Sequence, residues 1–371
     1  MLSRESAQVT PARRIAPAAE TTPSTAVSTP WTSLERLRAP ISAGGAALTE
    51  QDLSRLIEAG YATVEAVAFT PLRKITDEVC GFGDVKSKNA KAAAMKLVPM
   101  GFQTASEVLL QRQQMIRLST GCAALDGLLE GGIETGSITE VFGEFRTGKS
   151  QLCHSLCVKC QLPVDQGGAE GKALYIDTEG TFRPERLVEI AEKYSLNAES
   201  VLSNVVYARA YNSEHQLRLL SDASGILSSE SGKFALLVID SATALFRTDY
   251  QGRGELADRQ QQLGKFLRAL QRIADEFGVA VVITNQVMAS VDSGPVSAYC
   301  NPSALVKPIG GHILAHATHT RLFLRKSGGE KRICKVYDSP LLPEREAAYS
   351  IGKFGLQDFD DEDSSKRRRT L

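Results

Sequence analysis

The octapeptide Gly143-Glu144-Phe145-Arg146-Thr147-Gly148-Lys149-Ser150 has the spacing G-x-x-x-x-G-K-S. In such a loop backbone N–H groups wrap a chain of phosphates, the lysine reaches the β and γ oxygens, and the serine hydroxyl takes one site on Mg²⁺. The metal's water shell needs a second carboxylate. Phe234-Ala-Leu-Leu-Val-Ile-Asp240 supplies it, an apolar run ending in Asp240 where ligands sit in open α/β sheets. Hydrolysis further needs a group that orients or deprotonates water. The segment YIDTEGTFRPER, residues 175–186, places Asp177 and Glu179 just past another strand end. Glu179 is the better base, while Asp177 caps or braces and Thr181 suits the N-cap of the next helix. A third apolar run, Val279–Thr284, ends in Asn285-Gln286, whose amide could sense the γ-phosphate and pass its state onward.

Gln286 leads into a loop over 287–311, rich in Ser, Gly and Pro, that closes with Lys307-Pro-Ile-Gly310-Gly311. Loops above roughly 15 residues are usually functional or disordered. A shorter one, RTDYQGRGE at 247–255, carries Arg247, Tyr250 and Arg253 among glycines. Cations and a stacking ring on loops hung from a nucleotide site suit single-stranded nucleic acid; a polypeptide substrate is the rival.

These residues must be positioned by strands and helices in alternation from about 116 to 356. Strand-like runs at 138–142, 173–177, 205–208, 235–240 and 279–284 alternate with helical patterns after Gly148, at 183–194, 214–229 and 255–277. Hairpin-like runs occupy 320–325 and 332–337. The expected fold is α/β: a doubly wound, mainly parallel sheet with a β-rich end. Residues 46–98 form a separate all-α lobe, in which Val79-Cys-Gly-Phe-Gly83 joins two helices as a helix–hairpin–helix. Its glycines let backbone amides approach a phosphate; a protein-binding lobe is the plainer reading. Residues 1–45 read as a disordered tail and 357–371 as a charged one, whose Lys366-Arg-Arg-Arg369 could serve nuclear import. Between lobe and core, 99–115 is a linker in which Phe102 and Ala105 are oddly apolar. Either they pack on their own domain, or the segment adds as a strand to a neighbour's sheet edge.

The 43 basic and 43 acidic side chains cancel, so any nucleic-acid site must be local. No apolar run nears the roughly 18 residues of a membrane span, and no membrane contact is expected. Seven cysteines in a chain without a recognisable signal peptide point to reduced thiols. Cys153, Cys157 and Cys160 have the spacing of an iron–sulfur motif, but on a helix they share one face and read as core packing.

The stretches GGIETGSITEVFGEFRTGKSQLCH, YIDTEGTFRPER, RTDYQGRGELADRQ and TNQV…KPIGGHILAHA resemble the eukaryotic strand-exchange recombinases of the RecA/RadA superfamily, over about residues 48–356. The resemblance implies a RecA-like ATPase that forms helical filaments on single-stranded DNA, finds homologous double-stranded DNA and exchanges strands in the nucleus, helped by recombination mediators. It implies that Lys149 and Ser150 bind ATP and Mg²⁺, that Glu179 activates water, and that Gln286 links the γ-phosphate to the second DNA loop. Tyr250 and Arg253 in the first loop and Val291 in the second match DNA-contacting positions. Phe102 and Ala105 match a clasp onto the next protomer, with Tyr207, Ala208 and Leu219 in its pocket. Asp338 and Pro343 match a cap that a neighbour places over ATP. GGHILAHA and ELADRQQ are similar to a meiosis-specific sister, whereas Val291-Asp292, TVEAVAFTP and IETGSITE match the general repair member, which is the expectation. The second loop is longer than the family's usual one, with Tyr299 replacing a usual Phe and Lys307 standing where two lysines are common. Gly83 and Ser87 also depart from the usual lobe. The alternatives are a mediator paralogue that binds DNA without exchanging strands, and a small-molecule kinase with the same phosphate loop.

Overall fold

Strand residues with apolar side chains on both faces belong in a sheet covered on both sides. The computed structural model, which describes residues 32–38, 48–229, 232–252, 254–289 and 306–359, has such a sheet at its centre. After two short strands, β1 (Arg117–Leu118) and β2 (Ile133–Glu134), come β3 (Ile138–Gly143), β4 (Lys172–Asp177), β5 (Val205–Arg209), β6 (Phe234–Asp240) and β7 (Ala280–Asn285). A small pair, β8 (Val287–Ala289) and β9 (Val306–Pro308), precedes β10 (Thr320–Lys326), β11 (Arg332–Asp338), β12 (Glu346–Gly352) and β13 (Gly355–Asp358). The main sheet has nine strands in the order β13-β12-β11-β10-β3-β7-β6-β4-β5. Those from β10 to β5 run parallel, and β11, β12 and β13 complete it antiparallel.

The period-two rule sorts these side chains into two cores. Leu236, Val238, Ala280 and Val282 face one layer, while Leu237, Ile239, Val281 and Ile283 face the other. Helices α7 (Lys149–Lys159) and α8 (Pro184–Lys193) cover the first face; α10 (Ser213–Ser228) and α12 (Leu256–Phe277) cover the second, and the shorter α5 (Ala105–Gln113), α6 (Ala123–Leu128), α9 (Ala198–Ser203) and α11 (Ala244–Asp249) fall between the longer helices in the chain. Cys153, Cys157 and Cys160 are fully buried in the first layer. Burial pushes all three thiols up, which disfavours thiolate ligands, and no metal-binding cluster of three or more groups occurs among the described residues. The core-packing reading of this spacing holds.

The N-terminal lobe contains α1 (Glu50–Glu58), α2 (Val64–Phe69), α3 (Leu72–Glu78) and α4 (Asp84–Leu97). Thr49 and Asp52 form a capping box on α1, and the Thr63 hydroxyl caps α2. Gly81 sits at φ +77°, and a Cβ there would lie 2.7 Å from the Arg55 guanidinium, so the hairpin between α3 and α4 needs glycine. Part of the expected N-terminal tail is ordered. Leu34–Arg38 forms a 3₁₀ turn that buries Leu34 and Leu37, and Val64 N–H donates to the Thr32 carbonyl. A lobe of this size has little core of its own, so two leucines on one face find apolar surface to cover. The helix over 183–194 also differs from expectation: it starts at Pro184, and neither Thr181 nor any other side chain caps it.

The lobe rests on α12. The Thr63 hydroxyl donates to Glu276 and the Arg272 guanidinium lies 5.9 Å from the Tyr61 ring, whose hydroxyl donates within the lobe to Glu78 at 2.6 Å. Burial raises the Glu276 carboxyl from 4.5 to about 7, with Thr63 and Arg272 opposing and Glu65 adding to the rise. A carboxyl whose pKa is raised by folding stabilises fully below its unfolded value and loses that contribution as pH climbs through the folded one. Stability should therefore fall between about pH 4.5 and 7 by up to roughly 3 kcal/mol, at about 1.4 kcal/mol per unit. Glu276→Gln keeps an acceptor for Thr63 and should flatten that slope; thermal melts at pH 6 and 8 that differ equally in both proteins would contradict it.

Candidate nucleotide site and protomer-contact residues

The parallel registers bring four strand ends to one edge. Asp177 pairs with Asp240, Phe142 with Asn285, and Gly143 with Leu324. From that edge the phosphate loop arches into α7. A Cβ on Gly143 would stand 2.2 Å from the Leu324 carbonyl oxygen, so the loop begins where only glycine fits. Gly148, at φ +106°, is the N-cap of α7 and leaves the first N–H groups of the helix facing the loop. The Tyr349 hydroxyl on β12 donates to the Thr147 carbonyl at 2.8 Å and props the loop from behind.

A cavity of about 680 Å³ opens there, lined by Lys149, Ser150, Glu179, Asp240, Thr284 and Gln286 with the loop itself. The Lys149 ammonium donates to the carbonyls of Gly143 at 3.0 Å and Glu144 at 2.9 Å. Burial lowers its pKa, and the carboxylates of Asp240 and Glu179 pull the other way. Asp240 accepts from the Tyr175 hydroxyl at 2.7 Å and from the Thr284 hydroxyl. Neither partner was legible in the sequence, because each becomes one only when β4 and β7 flank β6. Asp177 accepts the N–H groups of Glu179 at 2.9 Å, Gly180 at 2.7 Å and Phe182 at 3.1 Å. It braces the loop, and of the two carboxylates in this segment Glu179 lines the cavity.

Gln286 donates from Nε2 to Glu179 Oε1 at 2.7 Å. Beyond it β8 and β9 pair antiparallel and close the base of the long loop, with Ile309 N–H donating to the Gln286 carbonyl at 3.0 Å. Asn285 Nδ2 holds this base too, donating to the Ile309 carbonyl at 2.6 Å and to Glu140 at 2.7 Å. Glu140 is buried against Arg321, whose Nε lies 2.6 Å away. Lys307 lies exposed on β9, and Gly310 and Gly311 open the helix Gly311–Ala317. Arg247 is exposed on the helix Ala244–Asp249, and Tyr250, which ends it, packs partly against the second core. Arg253, Val291 and Tyr299 fall outside the described residues.

Beside the phosphate loop a second depression of about 480 Å³ is lined by Arg146, Gln151, Arg186, Arg332 and Ile351. Arg186, which sequence reasoning missed, is held by the carbonyls of Gly352 and Lys353 and by Gln151 at 2.7 Å. It ends the YIDTEGTFRPER segment, but its carbonyl partners lie in the turn after β12, far along the chain.

Asp338 and Pro343 are not among the residues lining the nucleotide cavity. Asp338 pairs with Arg321 near the start of β10, whereas Leu324 further along β10 pairs with Gly143, so Asp338 stands toward the other end of the sheet. Phe102 is wholly exposed. Thr104 and Glu107 form a capping box that starts the helix Ala105–Gln113 at Ala105, and that helix buries none of its residues. Tyr207 and Ala208 lie on β5, which among the described residues pairs with β4 alone and ends the sheet, leaving an outer edge of the kind suited to strand addition. Tyr207 is half-exposed, stacked at 4.7 Å on Phe182, and Leu219 lies partly buried on α10.

The Rad51 family model matches residues 111–359. The chain is 57% identical over 314 residues to the DNA repair protein rhp51 of Schizosaccharomyces pombe, spanning 85% of this chain and 84% of that one. It is likewise 57% identical over 316 residues to the DNA repair protein RAD51 homolog 1 of Arabidopsis thaliana, covering 85% of this chain and 90% of the relative. Homolog B of Zea mays is 57% identical over 310 residues, 84% and 89% of the two chains. A phosphate loop, its carboxylates and an edge strand set in a RecA-like sheet thus come with a match across most of the sequence, and the chain belongs to the Rad51 family.

Proposed function

We propose that the protein is an ATP-dependent recombinase of homologous-recombination repair, which forms filaments on single-stranded DNA and exchanges strands with a homologous duplex. The bond from Gln286 to Glu179 carries this reading. It ties the side chain best placed to activate water to the root of a long basic-ended loop, so hydrolysis and a loop-bound polymer can sense one another. A small-molecule kinase has no use for such a connection. The relatives are named as DNA repair proteins, which favours the general repair member over its meiotic sister.

The residues present fit ATP and Mg²⁺. The loop from Gly143 to Ser150 offers backbone N–H groups where a Cβ would not fit, Lys149 supplies positive charge, and Ser150 with Asp240 supplies the metal's oxygen partners. The bound ion would neutralise charge on the phosphates. Glu179 accepts a proton from the attacking water, and Gln286 fixes its rotamer. The depression by Arg186 and Ile351 suits the base, a guanidinium plane and an apolar wall for a flat ring. Lys307, Gly310 and Gly311 with Arg247, Tyr250, Arg253 and Val291 form the DNA-binding loops. Phe102 and Ala105 clasp the edge strand of the next protomer, at Tyr207, Ala208 and Leu219. Asp338 and Pro343, set away from their own cavity, act on a neighbour's nucleotide. The protein works in the nucleus, with mediators that load it on DNA. Among the described residues no helix is long and apolar enough to cross a membrane.

The deciding assay is joint-molecule formation between a single strand and a homologous duplex, with purified protein, Mg²⁺ and ATP. Product is expected from the wild type and none from Lys149→Ala. Tight single-strand binding without product would favour a mediator instead.

A further inference from the structure

One carboxylate serves both the catalytic loop and the strand proposed to receive the neighbouring protomer. Asp177 Oδ1 accepts the N–H groups of Glu179 and Gly180 at 2.9 and 2.7 Å. Its Oδ2 accepts the Phe182 N–H at 3.1 Å and the Tyr207 hydroxyl at 3.3 Å, with Arg209 at 3.7 Å. Gly180, at φ +75°, lies so near Arg209 that a Cβ would come within 2.0 Å of the guanidinium. The loop carrying Glu179 is therefore seated directly on β5.

The other side of that loop is seated on the phosphate helix. His154, one turn beyond Ser150 on α7, bonds the Ser150 carbonyl through Nδ1 at 2.5 Å and accepts the Arg183 N–H on Nε2 at 3.2 Å. Accepting that N–H on Nε2 requires a neutral ring. The Phe182 ring stacks between His154 at 5.3 Å and Tyr207 at 4.7 Å. A continuous path thus runs from the residue assigned to Mg²⁺, through His154 and Phe182, to the rim of the clasp pocket.

We propose that Asp177 and the His154–Phe182–Tyr207 stack are positioning groups that make nucleotide binding and clasp docking on one protomer mutually dependent. This rests on Phe102 and Tyr207 being the two halves of the protomer contact. A neighbour's Phe102 pressing on Tyr207 sets the loop that orients Glu179, and bound nucleotide, by fixing α7, sets the floor beneath Tyr207. Linkage makes the effect reciprocal: each ligand tightens the other by the same factor.

The test uses full-length Phe102→Glu protein, whose own clasp is disabled, with a synthetic peptide of residues 99–113 and a non-hydrolysable ATP analogue with Mg²⁺. Peptide affinity with and without nucleotide, and nucleotide affinity with and without peptide, should each change by about fivefold or more and by one factor. Tyr207→Phe, which keeps the ring and removes the bond to Asp177, should bring that factor toward one while both ligands still bind; Asp177→Asn should do the same. Equal affinities in all states would overturn the coupling and leave both sites standing. Coupling undiminished in both variants would also overturn it. A peptide that binds in no nucleotide state would remove the clasp assignment, and this inference with it.

Discussion

Replacing Glu179 by glutamine should lower ATP turnover by about 10²- to 10⁴-fold, the range lost when a positioned general base is removed. The substitution conserves shape and an oxygen that can accept from Gln286, so the 2.7 Å contact at the root of the long loop survives. Asp177 continues to hold the backbone of the segment through the N–H groups of residues 179, 180 and 182. Lys149, Ser150 and Asp240 are untouched, and nucleotide affinity should stay within a few-fold of the wild type. Phosphate release measured with and without single-stranded DNA, beside equilibrium nucleotide binding, separates the two effects. Turnover within about threefold of the wild type would remove Glu179 from its role. Filaments of the variant should outlast those of the parent, since they no longer convert their nucleotide.

Phe102→Glu should leave the fold intact and abolish self-assembly. The ring is wholly exposed in the single chain, so the variant should melt with the wild type. In the contact it forfeits about 1.5–3 kcal/mol of burial and places an unpaired carboxylate in an apolar pocket, at a further cost of several kcal/mol. At about 1.4 kcal/mol per tenfold, protomer affinity falls by roughly three orders of magnitude or more. Sedimentation should show a monomer at concentrations where the parent polymerises. Filaments of ordinary length would disprove the clasp.

The elements that carry the chemistry were legible because each has a local signal. The apolar runs ending in Asp177, Asp240 and Asn285 read as strands, and the glycines around Lys149 read as a phosphate loop. Contacts made only across the sheet were not legible. Thr284 and Tyr175 reach Asp240 from neighbouring strands, and Arg321 and Asn285 both reach Glu140 from parts of the chain far away in sequence. No periodicity records such a meeting. The segment at 32–38 was missed because two leucines beside Ala- and Pro-rich sequence give too short a pattern; the apolar cluster of the lobe, which they join, decides it. The seat of that lobe on α12, through Thr63 and Glu276, likewise depends on two surfaces that a single sequence does not pair. Phe102 and Ala105 stood out for the opposite reason: they are apolar where the chain gives them nothing to cover.

The main sheet stops at β5, and the segment proposed to extend it lies in the linker, a different part of the surface. A contact between unlike patches does not close on itself as a two-fold dimer does; repeated without closing into a ring, as the proposed filament requires, it makes an open rod. Such a rod has direction. One terminus always presents an unfilled edge strand and the other a spare Phe102, so the two ends offer different chemistry to the solution. A single molecule bearing only the spare segment would block one terminus and leave the other free to grow.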